Sequence, residues 1–128
     1  MTSESEDARF LPGRHQIEAY GNGGFRFGGM SHRGSILALP SGVRAWPVRG
    51  VAEIDEAALV PIIAEAEAIE ILLLGTGKEP AYVEENLRTL LAAARIRLDA
   101  MQTGAAARTY NVLIAEDRRV AAALIAVG

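Results

Sequence analysis

A glycine turn carrying a lysine, Gly75-Thr76-Gly77-Lys78, follows the apolar run Ile69 to Leu74, and a polar turn, Met101 to Thr103, follows the alternating segment Ile96 to Ala100. If both segments are adjacent parallel strands that run into helices, two helix N-termini open at one sheet edge, where open α/β sheets bind ligands. The chemistry on offer there is anion binding. Exposed N–H groups and the positive end of a helix dipole attract negative charge, and Gly75 and Gly77 let backbone approach it closely. Lys78 and Thr103 add donors, and Arg108 and Asn111, three residues apart and so on one helical face, join them if that face looks into the crevice. The same residues have an architectural reading. Gly75 and Gly77 then only turn the chain, Thr103 caps a helix, Tyr110 fills core with its hydroxyl bonded to backbone, and Arg108 and Asn111 tie their helix to a loop. A Walker phosphate loop is excluded, because Gly75 to Lys78 lacks the four-residue spacer and the Ser or Thr after Lys.

No other residues assemble into a reactive set. His15 and His32 lie in a glycine-rich strand region without an acidic partner at recognisable spacing, and two histidines without cysteine make a poor metal set. Both read as exposed strand or turn residues. Ser31, Ser35 and Ser41 lack the strand-to-helix context of a nucleophile elbow. Glu84 and Glu85 read as the solvated face of a helix, and Glu116-Asp117-Arg118 as a polar turn. Catalytic residues, metal ligands and cofactors are accordingly expected to be none.

Composition narrows the classes further. The 128 residues are 50% apolar and 23% charged, with a net charge of −3 and no cysteine. That is globular composition, and a chain of this length forms one core without a metal or disulfide. Missing cysteines exclude disulfides, a thiol nucleophile, iron–sulfur ligation and thiolate zinc sites. The twelve arginines are scattered, so no basic stripe suits a nucleic-acid backbone. Glu4, Glu6 and Asp7 near the start resemble neither a secretory signal nor a transit peptide, and the longest apolar run, Val120 to Val127, falls far short of the ~20 residues a membrane span needs. The expectation is a cytoplasmic protein that does not insert into membranes and takes no nucleic acid.

The elements that would position these residues follow from periodicity. Residues 1–13 read as a mobile terminus and 14–128 as one domain. Gly21-Asn22-Gly23-Gly24 between Ile17–Tyr20 and Phe25–Phe27 signals a hairpin, because Asn and Gly tolerate the positive φ of a tight turn. A nucleotide-cradling loop is the sharper alternative, but such a loop must lead into a helix. Ser35 to Leu39 and Val43 to Val48 are further strands; Pro47 implies an edge or a bend, and Trp46 reads as packing or, alternatively, ligand stacking. Asp55 is a plausible N-cap, with Pro61 moving the helix start toward Leu59. Ile69 to Leu74 reads as a strand buried on both faces. A helix marked by Val83, Leu87, Leu90, Leu91 and Ala94 follows, then the strand Ile96 to Ala100, a helix from Thr103 and a last strand from Val120. Strands separated by helices imply a parallel or mixed sheet.

Several of these pieces, taken in order, carry a resemblance. Leu72-Leu73-Leu74-Gly75-Thr76-Gly77, Leu87-Arg88, Met101 to Thr103, Ala107-Arg108-Thr109-Tyr110-Asn111-Val112-Leu113 and Arg119 to Leu124, with Gly23-Gly24-Phe25, Gly34-Ser35-Ile36 and Trp46, resemble the family of domains of unknown function 498/598. That family includes mitochondrial respiratory complex I assembly factor 3 and the vertebrate adipogenesis-associated protein. The resemblance implies a three-layer α/β fold around a mixed five-stranded sheet, its last strand antiparallel to the others, with an additional N-terminal β layer. It implies no catalytic residues to transfer. It implies protein partners, among them respiratory-complex subunits or assembly intermediates, and hence a non-catalytic assembly or adaptor factor; the alternative is an enzyme or sensor for a small anion. Ala94-Arg95 departs from the family, which often has a glycine before the Ile96 strand.

Overall fold

The computed structural model describes residues 10–128. Nine strands and three α-helices follow one another in the described residues as β1 (Phe10–Pro12), β2 (Ile17–Gly21), β3 (Gly24–Phe27), β4 (Met30–Arg33), β5 (Ser35–Leu39), β6 (Gly42–Trp46), α1 (Glu56–Ile63), β7 (Ile71–Gly75), α2 (Glu85–Ala93), β8 (Arg97–Met101), α3 (Thr103–Ala115) and β9 (Val120–Leu124). Six strands form the central sheet in the order β1-β6-β5-β9-β7-β8, and β2-β3-β4 form a separate small sheet.

Period-two alternation divides the central sheet between two cores. Leu37, Leu39, Leu72, Leu74, Ala121 and Ala123 point to one face, where Leu59 and Ile62 of α1 and Leu87 and Leu91 of α2 cover them. Ile36, Ala38, Leu73, Ala122 and Leu124 point to the other face, under Ala106, Ala107 and Tyr110 of α3 and Ile17, Phe25 and Phe27 of the small sheet. The result is a three-layer α/β fold with a mixed central sheet and an N-terminal β layer. Fully buried side chains such as Leu72 and Leu73 each contribute about 1.5–3 kcal/mol, which explains why β7 reads as an unbroken apolar run.

Two details of topology differ from the implied five-stranded sheet. β1 adds a sixth strand at the edge, antiparallel to β6, with Pro12 opposite Gly42. An edge position tolerates a proline because one side of the strand needs no donor. Of the terminus read as mobile, residues 10–12 are therefore strand, while residues 1–9 lie outside the described residues. Of its two neighbours, the last strand, β9, is antiparallel to β5 and parallel to β7, as the crossover through α3 from β8 requires.

Local chemistry accounts for most element boundaries. Asn22 and Gly23 have φ of 52° and 79°, the two-residue turn expected between β2 and β3. β6 is paired on both sides and stops at Trp46, so Pro47 marks the end of a strand and not an edge. Trp46 is buried, and its indole N–H donates to the Ala58 carbonyl at 3.1 Å, fastening α1 to the sheet. Asp55 does cap α1, accepting from the Ala58 amide at 2.9 Å, so the helix starts at Glu56 and Pro61 lies inside it. The position near Leu59 suggested by proline preference is overridden by that cap. Arg95, φ 65°, ends α2 in a Schellman motif: its amide donates to the Ala92 carbonyl and that of Ile96 to Leu91, both at 2.9 Å. The left-handed residue is the physical reason a glycine suits this position.

Candidate functional site

β7 and β8 run parallel, so the turns after Gly75 and Met101 share one edge of the sheet. Only one helix opens there. α3 follows β8 almost directly, whereas nine residues separate β7 from the start of α2 at Glu85. Pro80 disfavours helical backbone at Glu79, and Val83 turns inward to pack with Leu87 instead of continuing the helix. The expected pair of helix N-termini is thus a single one.

The turn after β7 and the start of α3 are bonded to each other. The Thr103 amide donates to the Gly77 carbonyl at 2.9 Å, and the Gly77 amide donates to Thr103 Oγ1 at 2.9 Å. Thr103 Oγ1 in turn donates to the Ile125 carbonyl at 2.7 Å, while the Ile125 amide donates to Gly75 at 3.0 Å. Thr76 donates its amide to Met101 at 2.8 Å and its hydroxyl to Glu79 at 2.6 Å. A Cβ on Gly75 would stand 2.9 Å from the Thr103 Cα, so glycine is required for this approach. The helix end is roofed as well: a Cβ on Gly104 would collide with the Tyr20 hydroxyl, because that ring from β2 rests on the first turn of α3. Gly75, Thr76, Gly77 and Thr103 are all buried.

Of the other three residues of the expected crevice, Lys78 stays beside the Gly77 turn, whereas Asn111 and Arg108 lie away from it. Lys78 is exposed and lines a shallow cleft of about 430 Å³ together with Arg49 and Val51. Asn111 stands eight residues along α3 from Thr103, about 12 Å at 1.5 Å per residue. Its side chain accepts from the Ile17 amide at 2.8 Å and donates to the Ile17 carbonyl at 3.0 Å, imitating a strand neighbour for β2. The Arg108 side chain is exposed and makes no hydrogen bond or ion pair among the described residues. The chemistry available to the buried four is therefore mutual bonding, and the cationic groups of the cleft are Lys78 and Arg49. Arg49 has no motif and no fixed spacing to Lys78, so only the loop after β6 brings it there.

The remaining chemical candidates are dispersed. His15 and His32 are half-buried rather than exposed, and His15 Nε2 lies 2.9 Å from the Pro12 carbonyl. Ser35 Oγ accepts from the Ala126 amide at 2.9 Å, and Ser41 Oγ donates to Glu65 at 2.5 Å. Among the described residues, no group of three or more His, Asp or Glu lies together in a way that could hold a metal ion. Tyr110 fills the core as expected, but its hydroxyl has no hydrogen-bond partner among those residues, contrary to the expected backbone bond. Burial pushes its phenol up to about 12, against a smaller opposing pull from Arg14.

Comparison with known proteins places this architecture. A family model described as Protein of unknown function (DUF498/DUF598) matches residues 17–125. An uncharacterized protein of Rhodobacter capsulatus is 37% identical over 109 residues, 85% of this chain and 82% of its own length. NADH dehydrogenase [ubiquinone] 1 alpha subcomplex assembly factor 3 of Xenopus tropicalis is 29% identical over 122 residues, 95% of this chain. This chain spans 64% of that protein's length, and 57% to 63% of its counterparts in other animals. Among solved structures, a protein of Bartonella henselae described as an outer membrane protein superposes with a TM-score of 0.89 at 52% identity, covering 92% of this chain and 99% of that one.

Proposed function

We propose, from the premise that this chain belongs to the DUF498/DUF598 family of proteins of unknown function, that it acts as a non-catalytic assembly or adaptor factor that holds another polypeptide by surface contact. The observation that carries this reading is the fate of the polar residues at the sheet edge. Thr76, Gly77 and Thr103 bond one another and the chain's own backbone, and Asn111 bonds Ile17. These groups hold the fold, and the exposed surface is left to do the recognising. The partner we propose is a subunit or assembly intermediate of respiratory complex I, the enzyme named in the relatives' own description. Deleting the gene should lower assembled complex I and NADH oxidation; normal amounts of both in the deletion strain would overturn the reading.

Its proposed site of action is the cytoplasm. No helix among the described residues is long and apolar enough to cross a membrane. The name of the Bartonella relative makes a direct check worthwhile, and recovery of the protein in the washed membrane fraction would sink this assignment.

A second reading, an enzyme or sensor for a small anion, is favoured by one observation: Arg49 and Lys78 face the same cleft beside the Gly77 turn. A ligand present at a hundred times its dissociation constant raises stability by about 2.7 kcal/mol. If phosphates and carboxylates leave the melting temperature unmoved, this reading fails and the adaptor reading stands.

A further inference from the structure

Among the described residues the central sheet ends at β8, which pairs with β7 on one side and with no described strand on the other. The phase of its bonding is set by two contacts. The Arg97 amide donates to Glu70 at 3.0 Å and the Met101 carbonyl accepts from Thr76 at 2.8 Å, so Arg97, Asp99 and Met101 turn their backbone groups toward β7. Strand alternation then turns those of Leu98 and Ala100 outward, an open row of donors and acceptors that templates another strand.

The side chains of this edge are self-complementary. Arg97 and Asp99 are exposed on the face of α3, while Leu98 and Ala100 pack on the opposite core. Five symmetric antiparallel registers can join β8 to a second β8, and the one centred on Met101 pairs only that residue of the strand. Centring on Arg97 or on Asp99 sets like charges opposite each other, which is destabilising, and centring on Ala100 sets Asp99 against Met101. Centring on Leu98 sets Arg97 opposite Asp99 of the other copy twice over. It also makes Leu98 a hydrogen-bonded pair with itself, using the groups that already point outward.

An apolar group flanks the same edge. Thr109 Oγ1 lies 3.9 Å from Met101 Sδ, and Ala105 and Val112, four residues before and three after Thr109, share its face of α3. Val112 is 55% exposed, one of the few large apolar side chains left in solvent among the described residues. With a second copy docked on β8, the two α3 helices flank the seam and Val112 of each borders it.

We propose that this chain forms a two-fold homodimer by antiparallel pairing of β8 with β8 of a second copy, centred on Leu98, which joins two six-stranded sheets into one. The pairing does not depend on the role proposed above. The test is sedimentation equilibrium of the chain and of Arg97→Asp, Asp99→Arg and the double variant carrying both changes. All the substituted side chains are exposed, and each single change turns two attractive cross-strand pairs into two repulsive ones. Each should weaken the dimer about tenfold or more. The double variant should recover it, and an equimolar mixture of the two single variants should form the mixed dimer that neither forms alone. Slowed hydrogen exchange at the Leu98 and Ala100 amides should appear with dimer concentration. A chain monomeric up to millimolar concentration, a dimer indifferent to the single changes, or a double variant that stays monomeric would each overturn the proposal. So would a foreign protein occupying this edge in place of a second copy.

Discussion

Replacing Tyr110 with Phe should make the protein more stable, and increasingly so in alkali. The ring, carried by α3, is fully buried against the central sheet, and its hydroxyl is without a partner among the described residues. An unpartnered buried hydroxyl costs about 1–3 kcal/mol, which Tyr110→Phe recovers while keeping the ring in place. The pH dependence follows from the same burial. The phenol is pushed up to about 12 from 10.0, so the folded state holds its proton more tightly than the unfolded chain does. Stability from this group is whole below pH 10 and declines as pH rises through 12, by about 1 kcal/mol at pH 11 and at most about 3 kcal/mol above it. The Phe variant lacks that decline. Urea unfolding of both proteins at pH 7 and pH 11 reads the two effects separately, because all other titrating groups are shared. A Phe variant less stable at pH 7 by 1 kcal/mol or more would mean that the hydroxyl has a partner, and a stability gap that does not widen at pH 11 would mean that the phenol is not desolvated.

Three further substitutions test the bonding around the sheet edge. Asn111→Ala leaves both backbone groups of Ile17 without their side-chain partner and should cost about 2–3 kcal/mol, read as a lower urea midpoint with an unchanged slope. Thr103→Val keeps the shape but removes the acceptor for Gly77 and the donor to Ile125; it should cost about 2–4 kcal/mol, whereas Thr103→Ser should lose less than half of that. Arg95→Gly relieves a side chain held at φ 65° and should raise stability by about 0.5–1 kcal/mol in the same assay.

The parts of the fold legible in the sequence are those governed by local periodicity and turn chemistry. The alternation around Asn22-Gly23 marks the β2–β3 hairpin, and the apolar run at Leu72 marks a strand with two buried faces. Strand direction is not local. β9 lies parallel to β7 because α3 carries the chain across the sheet, and the three central alanines Ala121, Ala122 and Ala123 give no sign of it. Pro61 misleads for the opposite reason, since proline preference is weaker than the Asp55 cap that starts α1 earlier. At the candidate site, the meeting of the Gly75 turn with Thr103 is legible from two adjacent strands. What the sequence does not reveal is that Thr103 is already bonded on two sides, that Tyr20 from the small sheet covers Gly104, and that Arg49 lines the same cleft as Lys78. Each of these depends on segments distant in the chain, whose packing no spacing rule encodes.

The claim that this protein works by contact with another polypeptide is tested most directly by placing a photo-activated cross-linking residue at the exposed positions Tyr82 and Val112, in turn, in growing cells. Mass spectrometry of the captured species should identify a complex I subunit or an assembly intermediate joined to this chain. Irradiated cells that yield no protein adduct other than the chain joined to itself, while complex I assembles, would contradict the account.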